Sequence, residues 1–282
     1  MPLPPALPVA PISEERTATL SLAIRFFSDS VACFISDRGQ TIWAVHENLP
    51  TQPWDEQDSS AFSSLLDRNP FLTYPYRSVH VSFTPNAFAL IPQGMSDPEG
   101  CDESWLLPWL LKLNDATYID TYLIGRGQPS LAIAWNRELY HFLRRTYSTA
   151  CIEPITLSYI KKALHYSRGT GDYSIDLLID GTEVDLIAVQ NHNIQLLNRY
   201  SIEATHDEEE DYSTSLLYYL TAYTNFIHSK SIIGDPLDID IRLHYLPHQW
   251  HFSSVPLPTL SQELQHTNYQ YDTLPMSLIF HE

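Results

Sequence analysis

The sequence predicts a mixed α/β protein made of two copies of one βββαβ unit. Two three-strand meanders, at 20–49 and 174–202, have matching strand and turn lengths. Each is followed by a helix and then by another strand, which gives the same five-element order twice.

The first meander reads LSLAIRFF, VACFIS and TIWAVHENL, with Asp37-Arg38-Gly39-Gln40 as turn chemistry between the second and third runs. Phe62, Leu65 and Leu66 then form a short apolar helical stripe that stops before Asn69-Pro70, because proline has no amide to continue a helix. A strand follows at 78–83, SVHVSF. The first half adds the strands FALIP, YIDTYLI and SLAIAW, a helix near 103–113, and a helix at 136–147 capped by Asn136. A helix from Leu157 to Tyr166 leads toward the break at Arg168-Gly169-Thr170-Gly171.

The second meander reads SIDLLI, VDLIAV and IQLLNRYSI, with the polar turn Gln190-Asn191-His192-Asn193 in the place of the first one. Ile24 answers Leu178, Ile35 answers Val189 and Trp43 answers Leu197, a constant offset that points to duplication. Thr205 and Glu208 form a capping box ahead of Tyr212, Leu216, Leu220, Tyr223 and Ile227, which recur at helical steps. The strand DIDIRLHY at 238–245 closes the second unit. The expected organisation is a flexible proline-rich tail at 1–16, a first domain at 17–150 and a second at 151–282.

A formal net charge of −18 repels phosphate backbones, so nucleic acid is not an expected partner. No stretch has the roughly 18 apolar residues of a membrane span, and MPLPPALPVAPISEE lacks the pattern of a signal peptide. Cys33, Cys101 and Cys151 are odd in number without CxxC spacing, and read as small structural hydrophobes in a reducing compartment. The expected location is the cytoplasm.

A duplicated βββαβ unit with an inserted crossover is the plan of the actin-like ATPase fold, in which two ribonuclease-H-like domains face a cleft. The order LSLAI, YRSVHVSFTPNAFALIP, SLAIAWNRELYHFL and IDLLIDGTEVDLIAVQNHNIQLLNRYSI, before an acidic-capped helix rich in tyrosine, resembles DUF3822, a family of Bacteroidetes proteins of unknown function. The resemblance covers about 17–250. It implies an actin-like architecture and transfers no activity or catalytic residues.

Actin-like ATPases cradle phosphate with glycine-rich hairpin turns, since only bare backbone brings several amides onto one anion. Here the first turn, Arg25-Phe26-Phe27-Ser28-Asp29-Ser30, has no glycine, and only Gly234 lies beyond Gly181. Asp180-Gly181-Thr182-Glu183 reads as a tight hairpin, with Asp176 and Asp185 placed on the adjoining strands as exposed residues. The sequence therefore predicts a binding or scaffolding module with a protein partner, no cofactor, no metal and no catalytic residue. The alternative is a divergent ATPase or phosphotransferase that takes ATP and magnesium at Asp180, Gly181, Thr182 and Asp185.

Other clusters have plain readings. Asp176, Asp180 and Asp240 supply the carboxylates a ribonuclease-H-type metal site needs, but no spacing requires them to converge. Asp207-Glu208-Glu209-Glu210-Asp211 suits the positive end of a helix. His244, His248 and His251 are interrupted by Pro247 and read as surface histidines. SWLLPWLL at 104–111 offers an aromatic contact surface for a partner.

Overall fold

Both meanders join their second and third strands by the same turn. A computed structural model describes residues 12–27, 30–48, 59–92, 117–167, 173–180, 183–201, 218–224, 239–245 and 267–273. In it β1 (Ser21–Phe26), β2 (Ser30–Asp37) and β3 (Gln40–Asn48) form the first meander. Strands β9 (Tyr173–Asp180), β10 (Glu183–Gln190) and β11 (Asn193–Ser201) form the second. Arg38 and Gly39 link β2 to β3 at φ 48° and 82°, and Asn191 and His192 link β10 to β11 at φ 49° and 62°. Two consecutive left-handed residues make a type I′ turn, whose twist matches that of the flanking strands. His192 is a poor choice for this backbone by itself, but its Nδ1 donates to the Leu164 carbonyl at 2.7 Å and ties the turn to the neighbouring helix.

The repeat extends to an irregularity. In each meander the register slips by one residue, between Ile35 and Ser36 in β2 and between Ala188 and Val189 in β10. These positions are 153 residues apart, as are the starts of β2 and β10 and of β3 and β11. The offset is thus one less than the 154 that pairs Ile24 with Leu178. The difference matters because a one-residue slip turns every side chain of a strand to the opposite face.

Two five-stranded sheets share one topology. The first runs β3-β2-β1-β4-β8, with β4 (Ser78–Phe83) parallel to β1 and β8 (Cys151–Pro154) parallel to β4. The second runs β11-β10-β9-β12-β13, with β12 (Ile239–Tyr245) parallel to β9 and β13 (Thr267–Thr273) parallel to β12. A third, antiparallel sheet, β5-β7-β6, is built from β5 (Ala87–Ile91), β6 (Thr117–Leu123) and β7 (Ser130–Asn136). The described residues up to Ser158 form one compact unit and those from Tyr159 onward another, so β8 lies with the first.

In the first unit, α1 (Glu14–Thr17) takes up the end of the expected tail, because the Thr17 hydroxyl is buried and donates to the Glu14 and Pro75 carbonyls. Helix α2 (Ser59–Arg68) stops before a 3-10 turn at Pro70–Thr73. Helix α3 (Arg137–Thr146) begins where expected, with the Asn136 side chain accepting from the Leu139 amide at 2.9 Å. The core holds Trp135 of β7 stacked on Phe83 of β4 at 3.7 Å and met edge-on by Phe26 of β1. Phe26 also meets Phe62 of α2, which in turn meets Phe142 of α3. Cys33 is buried as expected, but Cys151 is exposed because it opens the short edge strand β8.

Helix α4 (Ile155–Tyr166) leads into the second unit, where residues 218–224 are also helical. Among the described residues no helix is long and apolar enough to cross a membrane. The helix expected near 103–113, the capping box at Thr205 and Glu208, and the acidic run 207–211 lie outside the described residues.

Candidate functional site

Successive strand residues point to opposite faces, and in the second sheet the two faces differ chemically. One carries Ile175, Leu177, Ile179, Val184, Leu186, Ala188, Ile239 and Ile241, all buried and apolar. The helical residues 218–224 cover this face, with Tyr219 stacked on Tyr200 at 4.1 Å. The other face carries Asp176 and Asp180 from β9, Glu183 and Asp185 from β10, Arg199 from β11 and Arg242 from β12.

Of these, Asp176 is almost completely buried at 1% exposure, as are Asp180 and Asp185 at 3% each. This corrects the expectation that Asp176 and Asp185 are exposed. Carboxylates enter such an environment only with partners, and both find an arginine directly opposite on the next strand. Arg199 donates to Asp185 with Nε at 2.6 Å and Nη2 at 2.9 Å, a bidentate pair. Arg242 donates through Nη1 to Asp176 at 3.2 Å, while its guanidinium lies 4.9 Å from the centre of the Tyr166 ring. Burial acts to lower the pKa of Arg199, but Asp185, followed by Glu183 and Asp180, outweighs it and the net direction is up.

The β-bulge decides which residue faces Asp185. At the turn, Gln190 pairs with Asn193 and Val189 with Ile194, and continuing that register would put Asn198 opposite Asp185. Gln195 is the extra residue, so from Ala188 and Leu196 onward the ladder is shifted and Arg199 takes the position.

The corresponding face of the first sheet is built differently. At the offset of 153, Ala23 stands for Asp176, Ala32 for Asp185, Phe27 for Asp180 and His46 for Arg199, and Ala32 does pair with His46. Arg25 is buried at 2% exposure with its guanidinium 4.7 Å from the centre of the Phe27 ring, and His46 meets that ring edge-on at 6.1 Å. The Phe27 amide donates to the Ser30 carbonyl at 2.8 Å, closing the turn on itself.

Of the residues proposed for a nucleotide, Asp180 and Asp185 share a buried face, and Gly181 and Thr182 lie outside the described residues. His244 is on β12, and His248 and His251 lie outside the described residues, as do Cys101 and 104–111. Among the described residues no group of three or more His, Cys, Asp or Glu is arranged to hold a metal ion.

A family model described as a protein of unknown function, DUF3822, matches residues 11–226. The chain belongs to the DUF3822 family. A Bacteroides thetaiotaomicron VPI-5482 protein with actin-like ATPase fold and unknown function superposes on this DUF3822 chain with a TM-score of 0.72 at 14% identity, over 97% of this chain and 100% of the other. A chain of the PilM-PilN type IV pilus biogenesis complex does so with a TM-score of 0.58 at 10% identity, over 89% and 88%. No curated protein matches. At such identities the likeness speaks for the fold, which is mixed α/β and actin-like as the sequence predicts.

Sequence reasoning singled out the acidic residues of the DUF3822 hairpin and missed both arginines. The signal for Arg199 lay in the hairpin register, which the turn alone sets one residue wrong. Arg242 needed the parallel pairing of β9 with β12, two strands separated by about 60 residues of chain, for which no local pattern exists.

Proposed function

We propose that this DUF3822 protein works in the cytoplasm as a binding or scaffolding module for a protein partner and does not hydrolyse nucleotide. One observation carries the reading: both oxygens of Asp185 are held by Arg199. A carboxylate that positions magnesium or its water must offer an oxygen to the ion, whereas here the guanidinium occupies one lone pair on each oxygen and sets its own positive charge where the cation would approach. Asp176 is paired more loosely, with Nη1 of Arg242 alone donating to it at 3.2 Å. At the other hairpin Phe27 stands at the position of Asp180 and is buried with Arg25 and His46 against its ring, so that position offers no carboxylate.

A binding role agrees with the PilM-PilN structure, a complex containing a chain of related fold. The −18 charge favours a protein partner over nucleic acid.

The reading is tested by incubating the full chain with ATP and magnesium and measuring released phosphate, together with affinity capture from the source organism. The expected result is no turnover above a buffer control and one partner recovered in stoichiometric amount. Turnover that disappears in Asp185→Asn would contradict it and restore the alternative of a divergent ATPase or phosphotransferase at Asp180, Gly181, Thr182 and Asp185.

A further inference from the structure

Helix α3 reads RELYHFLRRT, which places three arginines and one glutamate on ten residues of a chain whose net charge is −18. Leu139 and Leu143 face the core and Phe142 meets Phe62, whereas Arg137, Glu138, His141 and Arg145 are exposed. Glu138, His141, Arg144 and Arg145 line an open recess of about 630 Å³. Beside two of these lining residues Tyr140 stacks on Tyr118 at 3.7 Å, with His141 edge-on to both rings at 5.8 and 6.5 Å. Arg144 is fixed in place: Nε donates to the Tyr140 hydroxyl at 3.1 Å, Nη1 donates to the Ala150 carbonyl at 2.8 Å, and the guanidinium lies 5.3 Å from the Tyr140 ring centre.

We propose that this recess docks an acidic peptide segment of the partner protein. The inference rests on the binding role proposed above. Two arginines in a last turn complement the helix dipole, and that accounts for cations there. It does not account for their gathering with His141 around one recess, next to a pair of stacked tyrosine rings. A held guanidinium loses little side-chain freedom when a carboxylate arrives, and rigid aromatic rings supply contact area for the residues beside that carboxylate. The overall negative charge does not prevent docking in salt of about 0.1 M, where the Debye length of about 10 Å leaves only the nearest charges effective.

The test uses the full chain at about 0.1 M salt and a fluorescein-labelled hexaglutamate peptide with one central tyrosine, read by fluorescence anisotropy. The proposal expects saturable binding that weakens by about tenfold or more in Arg145→Glu and in His141→Glu, both exposed positions, because each change puts a like charge beside the ligand. Arg16→Glu, the same charge change on α1, leaves the affinity unchanged. No saturable binding, equal binding by all three variants, or displacement of the peptide by inorganic phosphate at constant ionic strength overturns it. A chain that neither binds the peptide nor turns over ATP loses this inference and keeps the function proposed above. A chain that turns over ATP loses that function whatever the peptide does.

Discussion

Arg199 reaches both carboxylate oxygens of Asp185, at 2.6 and 2.9 Å, because one extra residue in β11, Gln195, shifts the ladder between them. The same bulge sits 153 residues earlier, where it places His46 opposite Ala32. The duplicated backbone is thus used in one half to build a buried ion pair and in the other to pack an aromatic ring.

Arg199→Met leaves Asp185 buried without its counter-charge, and removing one partner of a buried pair typically costs about 3–5 kcal/mol. Restoring apolar balance with Asp185→Leu in the same chain recovers most of that loss, since the double change leaves no buried charge from the pair. Urea unfolding followed by circular dichroism checks both. Equal stability of Arg199→Met and the parent chain contradicts the assignment.

In a Cys101→Ser background two thiols remain, one exposed at Cys151 and one buried at Cys33. Burial, with Glu47 adding to it, pushes the Cys33 thiol well up from its ordinary range, so it carries almost no thiolate near neutral pH. A chromogenic disulfide reagent at pH 8 is expected to titrate one thiol in the native protein and two after denaturation. Two fast native thiols overturn the placement of β2.

Alkaline pH lowers stability through tyrosines. Burial, followed by the neighbouring tyrosines 173 and 200, pushes Tyr223 up to about 12, and burial likewise raises Tyr76, Tyr122 and Tyr147. An unfolded tyrosine ionises near pH 10, so above that the unfolded chain holds fewer protons than the native one. The contribution of these groups is complete below about pH 10 and is lost as pH rises toward the native values. Absorbance at 295 nm is expected to show a late class of tyrosines whose ionisation coincides with loss of circular dichroism.

Two local changes test the capping and turn assignments. Asn136→Ala removes the acceptor for the Leu139 amide and costs about 1 kcal/mol, while Asn136→Asp keeps it. Gly39→Ala meets no atom within 4 Å, so its cost of about 1–2 kcal/mol comes from φ +82° alone. Thermal unfolding measures both.

Much of this fold is written in local pattern. Apolar runs and the two polar turns locate all six meander strands, and Asn136 marks the start of α3 to the residue. The strands β8 and β13 escape because neither has the usual apolar signature: CIEP is four residues long, and TNYQYDT is mostly polar. Both are recruited by parallel pairing to a distant strand, an interaction that leaves no mark in nearby sequence. The site follows the same division. The carboxylates of the second hairpin stand out in sequence, but their burial and their arginines depend on a bulge and on a crossover. The anchoring of α1 by Thr17 to Pro75 is non-local in the same sense.

The most direct test of the central claim is the melting temperature of the purified chain with and without millimolar ATP and magnesium. If the hairpins do not hold a triphosphate, the two melting curves coincide. A ligand at 100 times its dissociation constant adds about 2.7 kcal/mol to stability, so a magnesium-dependent rise of several degrees, absent with ATP and a chelator, would contradict the account.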